Sequence, residues 1–168
     1  MFSFFFQDFS NNKNNIKGKL ILFLFRLTKY FCYSENKIIR ILTIPLLIFY
    51  RFFVEWVLAV ELPAKTKVGK GLTIFHGQGL TINDKTVMGQ NIILRNGVSI
   101  GNIILKDSSI SASPIIGNNV EIGANACVIG DIKIGNNVKI GAGAVVIKDV
   151  PDNCVVVGNP ARIIPNEK

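Results

Sequence analysis

The chain has a single histidine, three cysteines and no uncharged apolar run longer than Ile41 to Tyr50, which Arg40 and Arg51 bound and Pro45 interrupts. That run is too short to cross a bilayer, which takes about 20 apolar residues. Cys32, Cys127 and Cys154 are odd in number and far apart, so they supply neither a disulfide framework nor metal-ligand spacing. A reduced, cytoplasmic setting and no metal are therefore expected. The start, MFSFFFQDFS, lacks both a basic opening and a clean apolar stretch, which argues against a signal peptide. One histidine also argues against a three-histidine zinc site.

Acidic residues are scarce too, 11 against 19 basic ones, for a net charge of +8. Residues 1–60 carry eight basic and three acidic side chains, and residues 61–168 carry eleven and eight. The basic excess thus sits mainly with the aromatic, apolar first third. That pairing suits an anionic membrane surface better than a nucleic-acid groove, and peripheral contact with the inner membrane face follows as an expectation. The later part has no basic cluster to track phosphates, so no nucleic-acid partner is expected. Hydrophobic residues at 49% and charged ones at 18% describe a folded chain.

Two periods divide the sequence. From Ile16 to about Leu58, glycine is sparse and Leu, Ile and Phe are common, which predicts two or three helices. Ser34 to Asn36 reads as a break, and Pro45 as a kink or a start. An apolar helical face of this kind ordinarily packs on the rest of the protein or on a neighbouring subunit. After Glu61 the helix formers give way to Gly, Asn, Val and Ile. Ile116, Ile122, Val128, Ile134, Ile140 and Val146 recur every six residues, and glycine directly follows four of them. A second register runs Val120, Ala126, Ile132, Val138, Ala144, Val150, and the period holds earlier through Ile82, Met88, Leu94 and Ile100. Between Ile100 and Ile116 the interval is 16, so one coil carries an insertion near Asn102 to Ser113.

A six-residue period is one face of a triangular coil: a short strand, an inward aliphatic residue, and a small residue that lets the chain turn. Asparagine pairs such as Asn118-Asn119 suit corners at positive φ. Three faces make a coil of about 18 residues, and stacked coils bury a continuous apolar column. The expected architecture is an α-helical region over 1–59, a left-handed parallel β-helix over 60–164 and a tail at 165–168.

The segments AVELPAKTKVGKG, IFHGQGLTI, IGANACVIGDIKIGNNVKIGAGAVV and VPDNCVVVGNPARII resemble the hexapeptide-repeat acyltransferases. Within them the similarity is to the serine O-acetyltransferase branch, and there to the acetyltransferases of capsule and exopolysaccharide clusters such as the colanic acid type. The resemblance covers about two thirds of the chain by repeat architecture. It implies an acetyl-CoA-dependent O-acetyltransferase, a homotrimer with sites between subunits, and no metal.

His76 sits in a Gly-flanked corner, His76-Gly77-Gln78-Gly79, that interrupts the repeat. A lone histidine is more often structural than catalytic, yet these glycines look unnecessary for a buried packing role. The resemblance places the family's catalytic base on His76, where a neutral imidazole suits the work. Glu61 lies 15 residues earlier, less than one coil, so the two should be nearly stacked on neighbouring coils. The family carries an aspartate here, which implies an orienting role for Glu61. Gly101 matches the first residue of a Gly-Gly pair whose N–H faces the thioester, and Asn102 replaces the second. The resemblance further assigns acetyl-CoA to the small corners Gly123-Ala124 and Gly141-Ala142, with Gly158 to Arg162 near the adenine; Asn102 is read with the acetyl-CoA site, and Lys139, Lys148 and Arg162 are candidates for the CoA phosphates. Lysines on a coil are otherwise simply solvated.

The departures bear on the acceptor. The family's serine enzymes have an acid before the histidine and a second histidine before the proline that closes the insertion. Here those positions are Phe75 and Ser113. A zwitterion without charged partners would bind poorly. A sugar hydroxyl of a surface polysaccharide is the expected acceptor, with Phe75, Gln78 and Ser113 around it and the polar insertion nearby. The alternatives are serine O-acetyltransfer and a non-catalytic β-helical scaffold.

Overall fold

A computed structural model describes residues 2–165. Its helices are α1 (Phe2–Phe5), α2 (Ile16–Cys32), α3 (Lys37–Leu42) and α4 (Ile44–Tyr50), followed by one π-helical segment, Arg51–Val57. Local chemistry sets these limits. The Asn15 side chain accepts from the Gly18 N–H and starts α2, and Asn36 accepts from Ile38 and Ile39 to start α3. Pro45 falls in the first turn of α4, a start rather than a kink.

From Val60 onward the chain is the left-handed parallel β-helix that the repeat predicts. The first face stacks Val60–Glu61, Leu80–Ile82, Ser99–Gly101, Cys127–Ile129 and Val145–Val146. The second face stacks Lys67–Val68, Val87–Met88, Ile115–Ile116 and Lys133–Ile134. The third stacks Thr73–Ile74, Ile93–Leu94, Glu121–Ile122, Lys139–Ile140 and Cys154–Val157, and closes with antiparallel Arg162–Pro165. Both six-residue registers point inward and are buried from Ile116 to Val150. Ile21, Leu22 and Phe25 of α2 belong to the same apolar cluster as the coils.

Each corner shows why its residues are there. Asn91, Asn119, Asn137 and Asn153 stack at one edge with φ of 55–57°, the left-handed region that asparagine tolerates. Their amides form a ladder, with Nδ2 donating to the next Oδ1 at 3.0, 3.1 and 3.0 Å. The glycines after the aliphatic positions have a different reason from the expected one. Gly89, Gly117 and Gly135 have ordinary φ, but their coils pack too closely for a side chain. A Cβ on Gly89 would lie 2.5 Å from the Gly117 carbonyl oxygen, and one on Gly117 would lie 2.8 Å from that of Gly135.

The open first coil is capped by the N-terminal segment through side chains. Asp8 and Arg26 form a buried ion pair at 2.8 Å. Asp8 accepts from the N–H groups of Gly71 and Leu72, and Arg26 donates to the carbonyls of Val68 and Gly69. Asn12 then takes the Leu72 carbonyl and the Ile74 N–H, and Asn15 takes the Ile74 carbonyl. These amides act as a substitute strand along Thr73–Ile74, satisfying backbone groups that no lower coil meets.

Candidate active site

The corner after Thr73–Ile74 turns the chain from the third face to the first, and it carries the histidine. His76, Gly77 and Gly79 all have positive φ, at 65°, 73° and 70°. For a histidine this is an uncommon backbone state, held here by its surroundings. Gly77 does have a packing reason, contrary to expectation: it is buried, and a Cβ there would meet Ile74 and Val60 at 3.0 and 3.2 Å. The corner adds two residues, so Val60 pairs with Leu80, 20 positions on, whereas Thr81 pairs with Ser99, and Glu121 with Lys139, 18 positions on.

That longer coil changes the expected relation of Glu61 and His76. Glu61 stacks beneath Thr81 rather than beneath the histidine. No hydrogen bond or ion pair joins the two side chains, and both are exposed. The residues beside them, Val60 and Gly77, face each other within the coil. Glu61 also lies near Glu55 on the π-helical segment, where burial first, and the Glu61 charge after it, push the Glu55 carboxyl up while Arg51 pulls it down.

The His76 side chain lies open to a cleft of about 460 Å³, lined by residues 11–15, Lys17, Phe75, His76 and Gln78. Gln78 is oriented so that its amide nitrogen donates to the His76 carbonyl at 2.6 Å and its oxygen accepts from Lys17 Nζ at 3.1 Å. Phe75 is half-buried, with the Arg95 guanidinium 5.4 Å from its ring centroid. Arg95 is held in turn by Glu121 at 2.8 Å. The residues at 11–17 were not anticipated as part of a site. Their signal is legible afterwards: Asn11, Asn12, Lys13, Asn14 and Asn15 form a polar run inside an otherwise apolar, aromatic stretch.

The remaining candidates fall on two edges. Gly123-Ala124 and Gly141-Ala142 lie on the same edge as His76, stacked so closely that a Cβ on Gly123 would meet the Ala142 nitrogen at 2.5 Å. Gly101, Asn102, Ser113 and Lys148 lie on the next edge, between the first and second faces. Gly101 pairs with Ile129 within the ladder, and its carbonyl accepts from Gly130. Asn102, at the first residue past the strand, has no partner for its N–H among the described residues. Ser113 is buried, and its hydroxyl donates to Asn83 at 2.9 Å, so it does not face an open acceptor as expected. Lys148 shares a cleft of about 210 Å³ with Pro160 and Ala161, while Arg162 is exposed on the closing strand and does not line it. The insertion is a protruding arm bridged at Ile104 and Ile110. Its polar tip is self-satisfied, with two bonds from Ser109 drawing the Asp107 carboxyl below its ordinary range. Its flanks expose Ile104 and Ile110. Among the described residues no cluster of His, Cys, Asp and Glu could hold a metal.

Comparison with known proteins bears on the family and the fold. The bacterial transferase hexapeptide family, six repeats, matches residues 113–148. The Escherichia coli (strain K12) protein named "Putative colanic acid biosynthesis acetyltransferase WcaB" is 38% identical over 160 residues, 94% of this chain and 96% of that protein. This chain belongs to the hexapeptide-repeat acetyltransferases. A chloroplastic serine acetyltransferase of Arabidopsis thaliana is 43% identical over 106 residues, which is 63% of this chain and 33% of that one. Soybean serine acetyltransferase has the same fold, with a TM-score of 0.79 at 29% identity over 96% of this chain and 68% of that chain. The hexapeptide-repeat acetyltransferase described here therefore shares its coils with serine enzymes and nearly its whole length with a polysaccharide-associated one. Membership of an acetyltransferase family implies acetyl-CoA as the co-substrate.

Proposed function

We propose that this acetyltransferase acts on a hydroxyl of a bacterial surface polysaccharide (capsule, exopolysaccharide or O-antigen) or its precursor. The observation that carries the reading is the make-up of the cleft around His76. Two lysines, several amides and Phe75 line it, and among the described residues no carboxylate does. A serine acceptor would bring an ammonium group beside two lysines, with no carboxylate of the described lining to receive it. Sugar hydroxyls suit the amides of Asn14 and Gln78, and an aromatic side wall suits a sugar ring.

In this reading the His76 imidazole takes the proton of the acceptor hydroxyl as its oxygen bonds to the thioester carbonyl carbon. Collapse of the tetrahedral intermediate breaks the C–S bond, and the same proton passes from His76 to the CoA sulfur. The unpartnered Glu61 carboxylate orients the imidazole once the site closes, since such bonds tighten when substrate binds. The free Asn102 N–H, beside Gly101, is the donor for the oxyanion. These groups stand on different edges of one protomer, with the whole first face between them. A site that uses both needs the edge of one subunit against the next edge of its neighbour, and a homotrimer provides it. The exposed aliphatic flanks of the insertion arm then pack on that neighbour. The pantetheine arm runs along Gly123-Ala124 and Gly141-Ala142, and Lys148 and Arg162 meet the CoA phosphates.

The protein works in the cytoplasm, against the inner membrane face. Leu42, Phe52 and Trp56 are 73%, 59% and 79% exposed, beside Lys37, Arg40 and Arg51. An amphipathic basic surface of this kind lies in the interface plane. Among the described residues no helix is long and apolar enough to cross a membrane.

The test is thiol release from acetyl-CoA with the deacetylated surface polysaccharide of the source cell, against L-serine. Transfer to the polysaccharide, reduced about 10²–10⁴-fold in His76→Ala, is expected. Preference for serine would establish the serine O-acetyltransferase alternative. Full turnover by His76→Ala would overturn the assignment of the base.

A further inference from the structure

We infer that the segment 11–17 is the acceptor-recognition wall of this cleft and that it selects a sugar bearing an anionic group. The inference deepens the reading of His76 as the base and rests on it. The segment is held in place by bonds that leave its charges free. Asn11, Asn12 and Asn15 spend their amides on the backbone of Gly71, Leu72 and Ile74, and this fixes their spacing from the His76 corner. Lys13 and Lys17 stand between and beside those anchors. Lys17 Nζ has one neutral partner, the Gln78 oxygen at 3.1 Å. The Lys13 ammonium has no partner among the described residues, and the Asn14 amide has none either.

The charge balance around the cleft is one-sided. Lys19, whose ammonium donates to the Lys13 carbonyl at 2.6 Å, adds a third cation beside the mouth. From residue 9 to residue 34 the chain has no acidic side chain. Asp8 precedes that stretch, but it is buried and spent on Arg26, Gly71 and Leu72. Glu121, which holds Arg95 on the Phe75 side, is spent on that pair, and Glu61, given above to the imidazole, does not line the cleft. Ammonium groups gathered in a concave site whose described lining holds no carboxylate favour an anion, and one of them bridges through Gln78 to the residue that carries the base. The ligand chemistry is a carboxylate or phosphate on the same sugar unit as the acetylated hydroxyl, or next to it. A uronic acid supplies the first and a phosphate-linked sugar the second.

Because the chain has one histidine, the imidazole Cε1–H gives one NMR resonance that reports on this cleft without turnover. The intact protein is titrated with glucuronate, glucose 1-phosphate and neutral glucose. The inference expects saturable displacement of the His76 resonance by one or both anions and none by glucose at equal concentration. A response to glucuronate alone assigns a carboxylate, and a response to glucose 1-phosphate alone a phosphate. Lys13→Gln/Lys17→Gln should weaken anion binding about tenfold or more, while Lys133→Gln, on the second face, leaves it unchanged. The Lys13 ammonium has no bond to lose and Lys17 gives up only its bond to the exposed Gln78 side chain, so the variant should fold, and an unchanged circular dichroism melt checks this. Equal response to glucose and the anions, no response to either anion, or unaltered binding in the double variant would overturn the inference. Failure of His76 as base is read separately, as retained thiol release in His76→Ala.

Discussion

Replacing Asp8 by alanine should unfold the protein far more easily, although Asp8 lies outside the coils and touches no substrate group. Both side chains of the Asp8–Arg26 pair are 1% exposed. Removing the carboxylate leaves a buried guanidinium with only the carbonyls of Val68 and Gly69, and strips the acceptor from the N–H groups of Gly71 and Leu72. Breaking a buried pair from one side costs about 3–5 kcal/mol, and each orphaned buried N–H about 1–3 kcal/mol. The losses share one relaxation and do not add, so about 4–5 kcal/mol is expected. With a urea slope of about 2 kcal/mol/M, the midpoint falls by about 2 M. The assay is urea unfolding by far-UV circular dichroism at fixed protein concentration, because assembly makes stability concentration-dependent. Asp8→Asn retains an acceptor for Gly71 and Leu72 and should recover part of the loss. Arg26→Met in the Asp8→Ala background should cost less than the two single losses together. An Asp8→Ala midpoint within about 0.5 M of the parent would refute the idea that side chains seal the first coil.

Gly117→Ala places a methyl 2.8 Å from the Gly135 carbonyl and should cost about 1–3 kcal/mol in the same assay, although both glycines have ordinary φ. Glu61→Gln should lower kcat about 10- to 100-fold with KM for acetyl-CoA little changed, if the carboxylate orients the base; an unchanged kcat removes Glu61 from the reaction. Asp152 accepts two bonds from Asn136, which hold its carboxyl below the ordinary range. A depressed folded value means stabilisation that is complete above the unfolded pKa of about 3.9 and is lost as pH falls through the folded one. The stability gap between the parent and Asp152→Ala should therefore be constant from pH 7 to about 5 and shrink below about pH 4, as read from urea midpoints.

The coils were legible because their rule is local and repeated. Inward Ile and Val at every sixth position, Asn at positive φ and the ten-residue excess between Ile100 and Ile116 each map onto one structural event. His76 was legible because it is alone and breaks the repeat. Glu61 was misplaced because a coil of about 18 residues was assumed, whereas the His76 corner itself lengthens this one, and a spacing rule fails where the repeat it relies on is interrupted. Ser113 was assigned to the acceptor because it stands where the family's serine enzymes have a second histidine; its bond to Asn83 is a tertiary fact that no local pattern contains. The cleft wall at 11–17 was missed for the same reason. Nothing local says that an asparagine-rich turn will run beside Thr73–Ile74, some sixty residues later.

The two ends of the prism differ from its middle in one respect that matters for the cell. A stack of parallel coils exposes at each end a row of unpaired amide and carbonyl groups, and two such ends could join into an open-ended fibre. Here the lower end meets the amides of Asn12 and Asn15 instead of another strand, and the upper end is turned aside by the antiparallel run Arg162–Pro165. Shearing off either plug should turn a well-behaved enzyme into one that polymerises end to end.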